Sequence, residues 1–428
     1  MNRVSTFPQE SQLRRLLARR KRIGWLWQVV FLLATILVVL SLIVLLYNIV
    51  VGAFGYVIVQ DKVSPQEIVQ TYTDTPEAAL HTLSADQYRF ILEQNLSKGL
   101  LRRLNSEAPL TERSREELYR LVVERVVKPR VVQSYSLVDS IFERDKIFAE
   151  AAALPHSRVE FRRWLNLDFL TGKQASVPEL AGVRTALLGS LWVIAITVVV
   201  ALPLGVAAAI YLEEYAAVVA NPWLRRLNAV IQTNINNLAG VPSIIYGILG
   251  LAIFVRGLEA FTSGAAFGAT ADGATANGRT IMSAGLTLAL LILPIIIINA
   301  QEAIRAVPQS LRQASMGLGA TRWQTIWHHV LPSALPGILT GTILSVSRAL
   351  GETAPLVVVG ASTFITIDPD GPFSKFTTLT IQIYQWTARP QDEFRNIAAA
   401  AIIVLLVLLL TLNAAAILLR NRYSRRLV

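Results

Sequence analysis

No cysteine occurs in these 428 residues, so disulfides and thiolate metal sites are excluded. Histidine is nearly as scarce, with only His81, His156, His328 and His329. None stands in HExxH spacing, and the adjacent pair at 328–329 points to different faces of a helix, which argues against a shared metal. No stretch reads GxxxxGK[ST]: "TGKQ" at Thr171 has the Gly-Lys pair but neither the first glycine nor the Ser/Thr after the lysine. A GxSxG elbow is missing as well. Nucleotide hydrolysis is therefore not expected of this chain, and no enzyme active site is visible.

Charge is also thin, at 16% of residues against 53% hydrophobic. The apolar residues gather into uncharged runs long enough to cross a bilayer. These are Gly24–Gln60, Thr185–Leu212, Leu227–Val255, Ile281–Gln301 and Asn396–Leu419, and Leu335–Ile367 is equally apolar apart from Arg348 and Glu352. Six spans are expected. The first run follows the basic "RRLLARRKR", but it is far longer than the core of a secretory signal, so a retained span is expected. The net charge of +11 reads as retention of cytoplasmic loops rather than as nucleic-acid binding.

With the amino terminus inside, segments 1–23, 213–226, 302–334 and 420–428 hold 16 Lys/Arg, and the short loops 256–280 and 368–395 hold 5. That bias places both termini in the cytoplasm. The expected organisation is a basic amino-terminal segment at 1–23, a first transmembrane helix at 24–60, an extracytoplasmic helical insertion at 61–183, and a core at 184–428 with five more spans. The insertion is a near-neutral mixture of 17 Lys/Arg and 18 Asp/Glu. Ser84 with Gln87, and Ser114 with Glu117, read as capping-box helix starts. A partner-docking cap and a passive structural insertion are both open for it. The loop 256–280 is rich in Gly, Ala, Ser and Thr and buries little.

Arg348 and Glu352 carry the sharpest question. A charge inside a membrane helix costs about 2.5–3.5 kcal/mol on insertion scales, and Glu352 lies one turn on, able to pair with Arg348. The pair is either a structural lock or a station whose guanidinium attracts an anion in transit. Gly351 and Pro355 predict a weak or kinked helix there. In "GVPSIIYGILGL", Pro242 interrupts the helix and the glycines permit close packing. Ser243 and Tyr246 bring hydroxyls to that interruption, for lining a path or for local capping.

The segment 302–336 follows the fourth span. Its "QASMGLGATRWQTIWHHVLP" resembles the coupling loop of ABC-importer permeases, which runs EAA, three residues, G, nine residues, I, one residue, LP. Gln313, Ala314 and Ser315 take the EAA position, Gly319 with Ala320 beside it the glycine position, and Leu331-Pro332 the closing pair. Gln313 replaces the usual acid, Ser315 the second alanine and His329 the usual isoleucine. "SRALGETAPL" resembles the signature of phosphate-specific permeases of the Pst system, of the PstA type. "GVPSIIYGILGL", "AAAIYLEEYA" and "IQIYQWTARPQDEF" are similar to other stretches of that family. Asn299 stands where relatives commonly carry an arginine.

The resemblance implies an all-α integral membrane permease, with a substrate path along Arg348, Glu352, Thr353, Ser243 and Tyr246. It also implies a PstC-like permease partner, a PstB-like ATPase dimer that holds ATP and Mg, a PstS-like phosphate-binding protein, and no cofactor on this chain. The location it implies is the prokaryotic plasma (inner) membrane. Another oxyanion such as sulfate or molybdate, or a sensor or scaffold role for the insertion, are the alternatives.

Overall fold

The computed structural model describes residues 10–72, 79–107, 109–216, 219–268, 277–361, 364–365 and 367–424. Residues 1–9 of the basic terminal segment and 269–276 of the Gly/Ala-rich loop lie outside the described residues. The basic segment and first span form one helix, α1 (Glu10–Gly52). At 1.5 Å per residue its 43 residues reach about 64 Å, roughly twice the hydrocarbon thickness of a bilayer.

The uncharged run does not stay helical to Gln60. It turns at Gly52 and continues as strand β1 (Phe54–Gln60), whose "FGYVIVQ" is rich in β-branched and aromatic side chains. An apolar run that joins a helix to a buried strand carries no internal charge to mark the boundary. β1 lies between β2 (Arg130–Ser134) and β3 (Ser157–Arg163), antiparallel to both. The insertion is thus mixed rather than wholly helical, and among the described residues its sheet is the one departure from the expected all-α architecture. Val57 and Val59 pack towards the bundle and Ile58 towards the opposite face, so β1 is buried on both sides.

Helices α2 (Pro65–Tyr72), α3 (Ala85–Asn95), α4 (Lys98–Glu107) and α5 (Arg115–Val122) form the distal part of the insertion. Both capping boxes are present, at Ser84 with Gln87 and at Ser114 with Glu117. Ile68, Tyr88, Ile91, Leu92, Leu118 and Val122 give this part its own core. The short helices α6 (Leu137–Phe142) and α7 (Arg144–Ala152) connect β2 to β3, and α8 (Leu167–Thr171) follows β3 and touches α9.

In the bundle, α13 (Ile281–Arg305) is the central helix. It packs against α9 (Arg184–Ile210), α16 (Leu331–Gly351) and α11 (Ser243–Gly250). Leu288, Ile292 and Ile296 of α13 meet Val193 and Ala201 of α9 and Ala349 of α16. Among the described residues five helices are long and apolar enough to cross a membrane, and a bent pair, third in chain order, adds a sixth candidate. In that pair α10 (Pro222–Ala239) turns through 109° into Ser243–Gly257, which holds α11.

The apolar region 335–367 is not one helix either. α16 stops at Gly351, and α17 (Ala354–Val359) follows a two-residue break. The remaining helices are α12 (Glu259–Thr262), α14 (Gln309–Gly317), α15 (Arg322–Thr325), α18 (Leu379–Thr387) and α19 (Asp392–Ser424).

Candidate functional site

Two helix breaks meet inside the bundle. At the first, α10 ends at Gly240-Val241-Pro242, where the proline has no N–H with which to continue the ladder. Tyr246, buried in α11, donates its hydroxyl to the Leu238 carbonyl at 2.7 Å and so satisfies an acceptor at the end of α10. Ser243 is the first, half-exposed residue of α11. At the second break Glu352 is extended (φ −75°, ψ 130°), Thr353 follows at φ −114°, ψ −46°, and Pro355 sits in the first turn of α17.

α11 packs on α17, and Gly247 is the point of contact. A Cβ at Gly247 would lie 2.7 Å from Pro355 Cα and 3.0 Å from its carbonyl oxygen. Only glycine allows these backbones to approach so closely.

Arg348 stands in the last turn of α16, beside this junction. Its Nε donates to Glu352 Oε1 at 3.4 Å, a single long contact rather than a bidentate fork. The arginine side chain is 46% exposed and the glutamate 17%. The Nη groups have no hydrogen-bond partner among the described residues. A guanidinium so placed in a membrane helix must face water, an anion or another subunit. Thr353 lies half-buried next to Glu352.

A second constellation lies at the other end of α16, where Leu331 and Pro332 are half-buried in the first turn. From Leu331 to Arg348 is about 25 Å along the helix. Here α9 runs on through a π turn, Tyr211–Tyr215, which presents Glu213 and Glu214. Arg312 of α14 reaches Glu214 through Nη2 at 2.8 Å and Nε at 3.0 Å, and also donates to the Ile304 and Val307 carbonyls. Its side chain is 9% exposed and that of Glu214 11%. Arg305 pairs with Glu213 and Glu302, and Arg322 donates to the Glu214 carbonyl at 3.1 Å.

Ser315 faces inward, with its hydroxyl 2.9 Å from that of Thr325, so α14 and α15 are tied together. Between them Gly319 takes φ +89°, a left-handed turn that favours glycine, and Ala320 is half-buried. Gln313 and Ala314 are exposed, in contrast to Ser315. Met316, Leu318, Trp323 and Trp327 are exposed as well, and the two indoles stack at 5.5 Å.

The expected path residues Arg348, Glu352 and Thr353 thus gather at the second break. Tyr246 and Ser243 belong to the first, and the loop residues lie apart. Sequence reasoning missed the acidic pair Glu213–Glu214 and its arginine partners. The signal was an acidic pair directly after an uncharged run, followed by three arginines in the later loop. Among the described residues no group of three or more His, Asp or Glu side chains could hold a metal ion.

The bent crossing, the broken apolar region 335–367 and the clamped loop describe a membrane subunit of a transporter. Residues 201–427 match the family described as binding-protein-dependent transport system inner membrane component, and the chain belongs to that family. It is an ABC transporter permease subunit, and members of this family are non-catalytic, with the ATPase on a separate chain.

The probable ABC transporter permease protein YqgI of Bacillus subtilis is 30% identical over 236 residues, 53% of this chain and 72% of that protein. The phosphate transport system permease protein PstA of Haemophilus influenzae is 32% identical, covering 55% of this chain and 74% of its own length. PstA 1 of Mycobacterium tuberculosis is 39% identical over 188 residues, 44% of this chain and 54% of that one. Among solved structures, a chain of the MetNI methionine ABC transporter superposes with a TM-score of 0.39 at 21% identity, covering 55% of this chain and 94% of that one.

Proposed function

We propose that this chain is a permease subunit of an ATP-driven phosphate importer. One observation carries the reading: Arg348 holds a half-exposed, incompletely paired guanidinium where two broken helices meet inside the membrane-spanning bundle. Irregular backbone at membrane depth is characteristic of transporter binding regions. A guanidinium suits a tetrahedral oxyanion because its fork offers parallel donors. Several relatives bear the name of phosphate transport permease, which supports phosphate over sulfate or molybdate.

In this mechanism phosphate passes Arg348, and Glu352 tempers the positive potential so that the anion is released. Thr353 and Ser243 add hydroxyl donors along the path. Tyr246, with its hydroxyl engaged by Leu238, shapes the wall instead. The partners are a PstC-like permease that closes the other side of the path, a PstS-like binding protein that delivers phosphate, and a PstB-like ATPase dimer that binds ATP and Mg. The exposed face of 302–336, with Gln313, Ala314 and Leu318, seats in the ATPase. Closure of the ATPase then pulls on α9, α13 and α16 through Glu213, Glu214 and the three arginines. The chain sits in the prokaryotic plasma membrane with both termini in the cytoplasm and 61–183 outside.

The test is uptake of radiolabelled phosphate into proteoliposomes that hold this chain with its proposed partners, with sulfate and molybdate as competitors. The reading predicts ATP-dependent uptake that unlabelled phosphate suppresses and the other two do not. Suppression by sulfate or molybdate at equal concentration would assign the permease to another oxyanion. Absence of ATP-dependent uptake would reject import altogether.

A further inference from the structure

We infer that the insertion rests on the lipid surface beside α1, through an apolar patch built on Ile141, Phe142 and Phe148. These side chains are exposed, Ile141 at 65% and Phe142 at 81%, which is unusual for large apolar groups. Their surroundings hold them outward. Ser136 caps α6, and Ser140 is buried against β1, accepting from the Tyr56 N–H at 2.7 Å and donating to the Ser136 carbonyl. Glu143 breaks the chain between α6 and α7, which puts Phe142 at the corner of two short helices. Phe148 packs edge-on against Tyr56 and lies under the Arg144 guanidinium at 5.4 Å.

Two observations identify the occupant as lipid. First, α6 touches α1, whose apolar window holds no buried residue. Tyr47 and Val50, near the end of α1 that leads into β1, are exposed too. The patch therefore continues the surface that hydrocarbon covers on a membrane span. Second, exposed apolar groups of the insertion concentrate in its later residues, 128–183. In the described residues of 61–127 Phe90 is the single exposed large hydrophobic, whereas Ile141, Phe142, Leu167 and Leu180 all lie in the part joined to the bundle. Aromatic side chains with the Arg144 guanidinium beside them match the chemistry of a membrane–water interface, where rings sit at the headgroup level and cations meet phosphates, while Lys146 is paired with Glu143.

Because the chain has no cysteine, single labels report without competition. Full-length Phe142→Cys and, as a control in the distal part, Glu112→Cys would each carry an environment-sensitive fluorophore. Both would be reconstituted into phosphatidylethanolamine/phosphatidylglycerol vesicles. The label at 142 is expected to emit at shorter wavelength in vesicles. It should be quenched several-fold more by a headgroup-attached nitroxide lipid than by aqueous iodide, with the order reversed at 112. Ile141→Cys repeats the measurement should the label at 142 disturb folding. Iodide quenching at 141 and 142 equal to that at 112 would overturn the inference and leave the patch to a protein partner.

Discussion

Gly247 has no room for a side chain, because the Pro355 backbone occupies the space a Cβ would need. Gly247→Val should lower stability by about 1–3 kcal/mol, as overpacking of a tight contact does. The check is thermal unfolding in detergent against Gly317→Ala, where a Cβ meets nothing within 4 Å. The glycines and Pro242 were legible as a break that invites a neighbour. Which neighbour was not, because a helix pattern records the face that is small but not the element that fills it. Arg348 and Glu352 were legible as a pair from their spacing. That Glu352 lies just past the helix end follows from the geometry around Pro355, which sequence marked only as a weak point. Ser315 was legible as a motif position, but not that a hydroxyl partner ten residues on turns it inward.

Among the elements, the loop after α13 depends on one buried ion pair. Removing Arg312 alone, as Arg312→Met, leaves Glu214 buried without its partner, and such losses run to about 3–5 kcal/mol. Arg312→Met combined with Glu214→Leu should recover much of that, since no uncompensated charge remains. Unfolding midpoints of the two variants decide the point: equal losses would mean that the pair carries no such coupling.

At the insertion end, Asp368 fixes the start of α9 by accepting from Arg184 at 2.6 Å and Thr185 at 2.8 Å. Partial burial opposes its ionisation, but the hydrogen bonds and charge of its partners outweigh that and hold the carboxyl below its ordinary value. A lowered folded-state value gives stabilisation that is complete above the unfolded carboxylate's pKa of about 3.9 and is lost as pH falls through the folded one. Asp368→Asn should therefore unfold earlier than the parent at pH 7, with the gap narrowing as pH falls below about 3.9. A constant gap across that range would contradict the assignment.

The capping boxes at Ser84 and Ser114 could be read directly, because they are local chemistry. The sheet could not, since β1 hides at the end of an uncharged run and its partners β2 and β3 lie far along the chain.

Over the whole molecule, a bundle centred on α13 joins two separated regions: the crossing breaks with the half-exposed guanidinium of Arg348, and the clamped loop with its exposed apolar face. Hydropathy marked the candidate crossings because lipid demands long apolar segments. The 109° bend in the third crossing depends on packing that hydropathy does not encode. The account's central claim is that Arg348 serves the moving anion rather than the fold. Arg348→Gln, reconstituted with the partner permease, ATPase dimer and binding protein, tests it most directly when phosphate uptake and ATP hydrolysis are followed together. The account predicts intact assembly, continuing ATP hydrolysis and uptake reduced at least tenfold. Uptake that survives the substitution would contradict it and make Arg348 and Glu352 a structural lock.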